Sequence, residues 1–254
     1  MRAVPVMVFG QSEIRHLDDA LKRLGALDCT YWVTVAGGNY LYVAAYLRSI
    51  AELESYVTSV REEAHIADPS VGILLGVPDL RWGPIFRDAT LTSLDYQIIQ
   101  SLGNNARKLV PDVAEELGVS AKTVRRRLRQ MIQDGSIELS IKWYPDASND
   151  IMTIFHLYLT PAADKGIVCP LLVKKYAPNV LFCMLFSNLP TLMLCFVWTN
   201  TMKELRDIHA RLDHEEALDS VVPNVLYAGY IFDTWRDALV LERGTPTRTR
   251  RTRD

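Results

Sequence analysis

The 254-residue sequence predicts an α+β protein in which a three-helix unit stands between two βαββαβ modules. Three observations carry this expectation. A strand, turn, strand and helix recur at an offset of about 151 residues. Helix caps and stops crowd the stretch between the two copies, and the charge changes sign along the chain. At 49% apolar and 23% charged residues the chain can build a packed core and is too apolar to be disordered.

In chain order, Val4 to Phe9 reads as an apolar strand and His16 to Leu24 as the helix after it. The stretch from Ala26 adds two strands around a turn at Ala36 to Asn39, where Gly37 and Gly38 supply positive φ. A charged amphipathic helix follows near Ile50 to Glu63, then an apolar strand at Val71 to Val77. The second copy has a strand at Ile151 to Leu159, a helix at Ala162 to Tyr176 and a hairpin turning at Ser187 to Pro190. It closes with a helix near Thr201 to Leu212 and a strand at Val225 to Phe232. Each order gives a four-stranded antiparallel sheet with both helices on one face, the ferredoxin-like plan, and leaves the other face needing a partner. The first module is placed at residues 1–77 and the second at 150–235, with 78–92 as a Pro- and Gly-punctuated linker and a second joint near Pro145 to Asp150.

Tyr176 to Met202 carries no charge over 27 positions, long enough for a bilayer-crossing helix. Ser187, Asn188 and Pro190 break that run where the first copy also turns, so a hairpin is expected instead. The amino terminus has no apolar core ending in a cleavage site, and a cytoplasmic location without membrane attachment is expected. Cys29, Cys169, Cys183 and Cys195 lie in apolar runs without a Cys-x-x-Cys pair, which points to core thiols rather than a zinc or redox motif.

Residues 93–145 read as three short helices. Ser93 is placed as the cap of the first, with Leu94, Ile98, Ile99 and Leu102 on one stripe. Pro111 suits the first turn of the second, and Gly118 its left-handed stop. Ser120 caps the third, where Val124, Leu128, Met131 and Ile132 recur at helical spacing until Gly135. A turn of only Gly118 to Ser120 between helices two and three is helix-turn-helix grammar. Net charge is -3 over residues 1–89, +2 over 90–145, -5 over 146–242 and +4 over 243–254. Lys122, Arg125, Arg126, Arg127 and Arg129 lie between Ser120 and Gln130 with no acid among them. Such a face forgoes the i,i+4 ion pairs of a solvated helix and calls for a polyanion, with nucleic-acid phosphate the natural partner. The small turn of Ala121, Lys122 and Thr123 suits a major groove.

Residues 91–138 resemble the helix-turn-helix domain of the Lrp/AsnC (feast/famine) transcription regulators. The resemblance rests on Leu94 and Asp95, Asn105 to Arg107, Gly118 to Ser120, Thr123 and Val124, Arg127, and Gly135 with Ile137. It implies a βαββαβ effector and oligomerisation (RAM-like) module after the helix-turn-helix, as residues 150–235 provide. An additional RAM-like module in front is a departure from the family. The implied function is sequence-specific binding of double-stranded DNA through Arg107, Lys108, Ser120, Ala121, Lys122, Thr123, Arg125, Arg126, Arg127 and Arg129. Family members often bind an amino acid near the β2–β3 loop, which here is Gly37, Gly38, Asn39 and Tyr40, with Asn in place of an Asp. A homodimer or higher even-numbered oligomer is expected, because one reading helix discriminates poorly among competing sites.

No catalytic constellation, cofactor motif or metal set competes: His209 and His214 are five apart, and the phosphate-binding loops and nucleophile elbow are absent. Siroheme decarboxylases resemble these regulators in both domains and remain the enzymatic alternative, although they tend to carry fewer cations on the third helix and a His-rich second hairpin. A ligand sensor without DNA binding is a third class. The tail at 243–254, with Arg243, Arg248, Arg250, Arg251 and Arg253, is expected to be disordered and to add phosphate contacts.

Overall fold

The computed structural model describes residues 3–75, 90–103, 105–137, 144–147 and 149–245. The first module runs β1 (Val4–Gln11), α1 (Asp18–Ala26), β2 (Thr30–Ala36), β3 (Tyr40–Leu47), α2 (Leu53–Ala64) and β4 (Ser70–Ile73). Three helices follow: α3 (Ser93–Leu102), α4 (Val110–Leu117) and α5 (Ala121–Gln133). The second module runs β5 (Ile151–Leu159), α6 (Lys165–Lys175), β6 (Val180–Leu185), β7 (Leu192–Thr199), α7 (Met202–Leu212) and β8 (Leu218–Ile231), and α8 (Trp235–Gly244) comes last. The chain divides into two compact units, one holding both βαββαβ modules and the other holding α3, α4, α5 and α8.

The sheet face that each module leaves uncovered is covered by the other module of the same chain. All eight strands form one antiparallel sheet in the order β4-β1-β3-β2-β8-β5-β7-β6. The joining element is β8, which pairs with β5 from Leu218 to Val225 and with β2 from Leu226 to Ile231. The far edges also meet. Leu74 bridges Phe186, the Leu75 amide donates to the Leu185 carbonyl at 2.7 Å, and the Ser187 amide donates to the Ile73 carbonyl at 2.8 Å. Asn188 reinforces this seam by accepting from the Ile73 amide and donating to the Val71 carbonyl. The strands therefore close into a barrel, which removes the free edges that would otherwise template association.

Period-2 alternation sorts the side chains. Met7, Phe9, Tyr42, Ile154, Phe182, Phe186, Leu194 and Phe196 fill the interior, and Phe182 stacks on Phe196 with centroids 4.4 Å apart. Phe155, Leu157 and Cys195 face outward beneath α6 and α7, against Val168, Cys169, Leu172, Leu205, Ile208 and Leu212. Each such side chain fully buried stabilises the fold by roughly 1.5–3 kcal/mol. The four cysteines are free and buried, as core thiols should be. The uncharged run from Tyr176 to Met202 contains the β6–β7 hairpin, and no described helix is long and apolar enough to cross a membrane.

Several boundaries differ from the sequence reading. Thr92, not Ser93, caps α3, because its side chain and Asp95 form a reciprocal capping box. The α6 helix begins at Lys165 rather than Ala162, where the Asp164 side chain accepts from the Gly166 amide. The last strand begins at Leu218, not Val225, since pairing to β5 overrides the loop-like character of Asp219, Ser220 and Asn224. The sequence reading had no α8. Its final turn contains Arg243, which is therefore helical and not part of a disordered tail: the Arg243 guanidinium donates to the Tyr96 hydroxyl at 3.0 Å and lies over that ring. Residues 246–254 and most of the 78–92 linker lie outside the described residues.

Candidate nucleic-acid interface

Helices α3, α4 and α5 pack around Ile98, Leu102, Val113, Ala114, Val124 and Met131, with Leu94, Leu117, Val119 and Leu128 at the margin. Pro111 lies in the first turn of α4, and Gly118 ends that helix at φ 64°, its amide donating to the carbonyls of Ala114 and Glu115. Only Gly admits this left-handed step without strain. Two residues later the Ser120 hydroxyl accepts from the Thr123 amide at 3.2 Å and lies 2.9 Å from the Thr123 hydroxyl, which starts α5. The turn is thus as tight as the sequence spacing requires.

The apolar stripe of α5 fixes its outer face. Lys122, Arg125, Arg126 and Arg129 are exposed there, and Ser120 is exposed at the amino-terminal end, with Ala121 and Thr123 half-buried beside it. Arg107 is exposed on the turn before α4, where its amide donates to the Asn105 side chain at 3.0 Å.

Two of the predicted DNA-facing residues have other partners. Arg127 turns inward, and its guanidinium lies 3.5 Å from the Asp95 carboxylate, which is 2% exposed. The same carboxylate oxygen accepts from the Thr92 amide at 2.8 Å and hydroxyl at 2.7 Å. Arg127 therefore ties α5 to the start of α3, because three residues after Val124 it flanks the buried stripe. Lys108 pairs with Glu116 and donates to the Ser101 hydroxyl at 3.2 Å. Its ammonium and the Ser101 hydroxyl hold the Glu116 carboxyl below the ordinary range.

The Gly37–Tyr40 turn, the candidate effector loop, is bonded within its own unit. Gly38 and Asn39 have φ 69° and 60°. The Asn39 side-chain amide donates to the Ile14 carbonyl at 2.8 Å, and its oxygen accepts from the Tyr227 hydroxyl at 3.4 Å. Tyr40 turns inward toward a pair the sequence reading missed, Tyr42 and His156, whose hydroxyl and Nε2 lie 2.7 Å apart. Burial pushes the His156 imidazole down to about 4 and the Tyr40 phenol up to about 12. The signal was available in strand parity, since Tyr40 and Tyr42 share a face of β3 just as His156 and Tyr158 share one of β5.

Comparison with known proteins agrees with this geometry. The AsnC-type helix-turn-helix domain family matches residues 91–132, from just before α3 to the last turn of α5. The chain carries an AsnC-type helix-turn-helix domain. Among solved structures, Escherichia coli AsnC is 19% identical with a TM-score of 0.43, covering 54% of this chain and 92% of its own. A transcriptional regulator from Neisseria meningitidis, solved with L-Met, is 21% identical with a TM-score of 0.45, covering 54% of this chain and 89% of its own. The siroheme decarboxylase NirDL is 12% identical with a TM-score of 0.62, covering 95% of this chain and 78% of its own. Nearly the whole fold therefore has a solved counterpart. No curated protein is significantly similar to the chain.

Proposed function

We propose that the protein is a sequence-specific DNA-binding transcription regulator. One observation carries the proposal: the second helix of a helix-turn-helix presents Lys122, Arg125, Arg126 and Arg129 to solvent with no acid between Ser120 and Gln130. In the major groove the turn of Ala121, Lys122 and Thr123 leads. Arg125 and Arg126 reach base edges or the flanking backbone, while Arg107 and Arg129 hold phosphates. A small amino-acid-like effector would act through the Gly37–Tyr40 turn, where Asn39 links the chain at Ile14 to Tyr227 of β8. A thermal-shift screen of the free amino acids tests that part, and no shift with any of them removes it.

Sequence specificity is tested by a genome-wide map of DNA fragments bound by the purified protein. Recovery of one enriched motif supports the proposal, and a flat distribution overturns it. A second reading, chemistry like that of the siroheme decarboxylase, is favoured by the 95% coverage of NirDL and by the buried Tyr42–His156 pair. Against it, aromatic side chains fill much of the barrel interior. Titration with an iron-uroporphyrin III analogue decides: a new visible absorption band would support the enzyme, and an unchanged spectrum leaves the regulator.

A further inference from the structure

The helices α1 and α6 occupy the same place in the repeat, yet their outer faces differ. On α1 the exposed positions are Asp18, Asp19, Lys22 and Arg23, above buried Ala20, Leu21 and Leu24. That is the ordinary pattern of a helix whose outer side meets water. On α6 the buried side is similar, with Val168, Cys169 and Leu172, but the outer side carries Ile167 at 61% and Leu171 at 60% exposure, with Pro170 exposed between them. Two large aliphatic side chains adjoining on one helical stripe are more than the scattered apolar exposure of a typical surface.

The two ends of the stripe have opposite charge. Asp164, Ile167, Leu171 and Lys174 follow one another at helical spacing, all exposed, with the acid at the amino-terminal end and the base at the carboxy-terminal end. Such an order is self-complementary. A two-fold axis crossing α6 near its middle sets Ile167 against the partner's Leu171, and Asp164 beside the partner's Lys174, with the two helix dipoles antiparallel. A parallel arrangement would instead place like charges together.

We propose that the outer face of α6 is the surface on which a second copy of this chain docks, antiparallel about a two-fold axis. The barrel closes within one chain, so association through open sheet edges is already used up internally. An isologous contact on α6 supplies a second α5 without opening the barrel. The proposal concerns assembly alone and stands or falls independently of DNA binding.

Sedimentation equilibrium of the full chain without DNA, from about 1 to 100 μM, is the test. The expected species has twice the 28.8 kDa mass of one chain. Ile167→Asp and Leu171→Asp should each raise the dissociation constant at least about tenfold, with an unchanged circular dichroism spectrum. Lys174→Glu should weaken association, and adding Asp164→Asn, which keeps the helix cap, should recover part of the loss. A wild-type monomer throughout the range would overturn the proposal. So would a dimer indifferent to both Asp variants, which would point to a different interface.

Discussion

Arg126 faces solvent from α5, whereas Arg127, one residue on, lies 3.5 Å from the buried carboxylate of Asp95. The two should therefore separate experimentally. Arg126→Ala should weaken DNA binding by about 1–3 kcal/mol with little change in melting temperature. Arg127→Met should lower the stability of the helix-turn-helix by about 1–3 kcal/mol, because it leaves Asp95 buried with its Thr92 bonds alone. Parallel thermal melts and binding isotherms check both. Of the five cations in the sequence, the inward turn of Arg127 is legible from its place three residues after Val124, but its partner on α3 is not. His156 gives a second residue-scale outcome. Its pKa is depressed from 6.5 to about 4 in the fold, so the unfolded chain binds the extra proton between those values. Its stabilising contribution is complete above pH 6.5 and is lost as the pH falls toward 4, by about 3 kcal/mol at most. His156→Gln should flatten that part of the stability profile measured by urea unfolding; an unchanged slope would show that other groups set it.

At the scale of elements, local patterning made β5, α5 and α7 readable almost to the residue: α5 and α7 each have one buried stripe and a capping side chain, and β5 is a near-continuous apolar run buried on both faces. Two elements were hidden for identifiable reasons. The first half of β8 carries Asp219, Ser220, Pro223 and Asn224, which read locally as a loop and become strand only through pairing with β5. The α8 helix buries little of itself, although Thr234 and Asp237 form a capping box at its start that the sequence displays. Ser93 donates to the Arg243 carbonyl at 3.3 Å, and buried Gly244 lies against Gln100 and Tyr96. Truncation after Asp233 should therefore lower the melting temperature of the helix-turn-helix by several degrees, as read by calorimetry. Deleting only residues 246–254 should leave that temperature unchanged. If Arg248, Arg250, Arg251 and Arg253 reach phosphate, the same deletion should reduce the salt slope of DNA binding, at about 0.9 per lost contact. An unchanged slope would leave those residues outside the interface.

The whole molecule shows what a repeat alone does not determine. The sequence displays two copies of a module with an apolar face to cover, but whether the cover comes from the same chain depends on long-range geometry. At the β4–β6 seam, a Cβ on Gly72 would lie 2.2 Å from the Phe186 ring, so the close approach of the two modules depends on a residue with no local signature of that role. Closure within the chain leaves the described residues with one reading helix per molecule, and its solvent face is the centre of the functional account. The most direct test is the affinity for a selected DNA duplex as a function of salt, compared between the wild-type chain and Arg125→Ala/Arg126→Ala/Arg129→Ala. The wild type should show a steep linear fall of log affinity with log salt, and the triple variant a slope shallower by about 2–3 and weaker binding at every salt concentration. Equal affinity and equal slope in the two proteins would contradict that expectation.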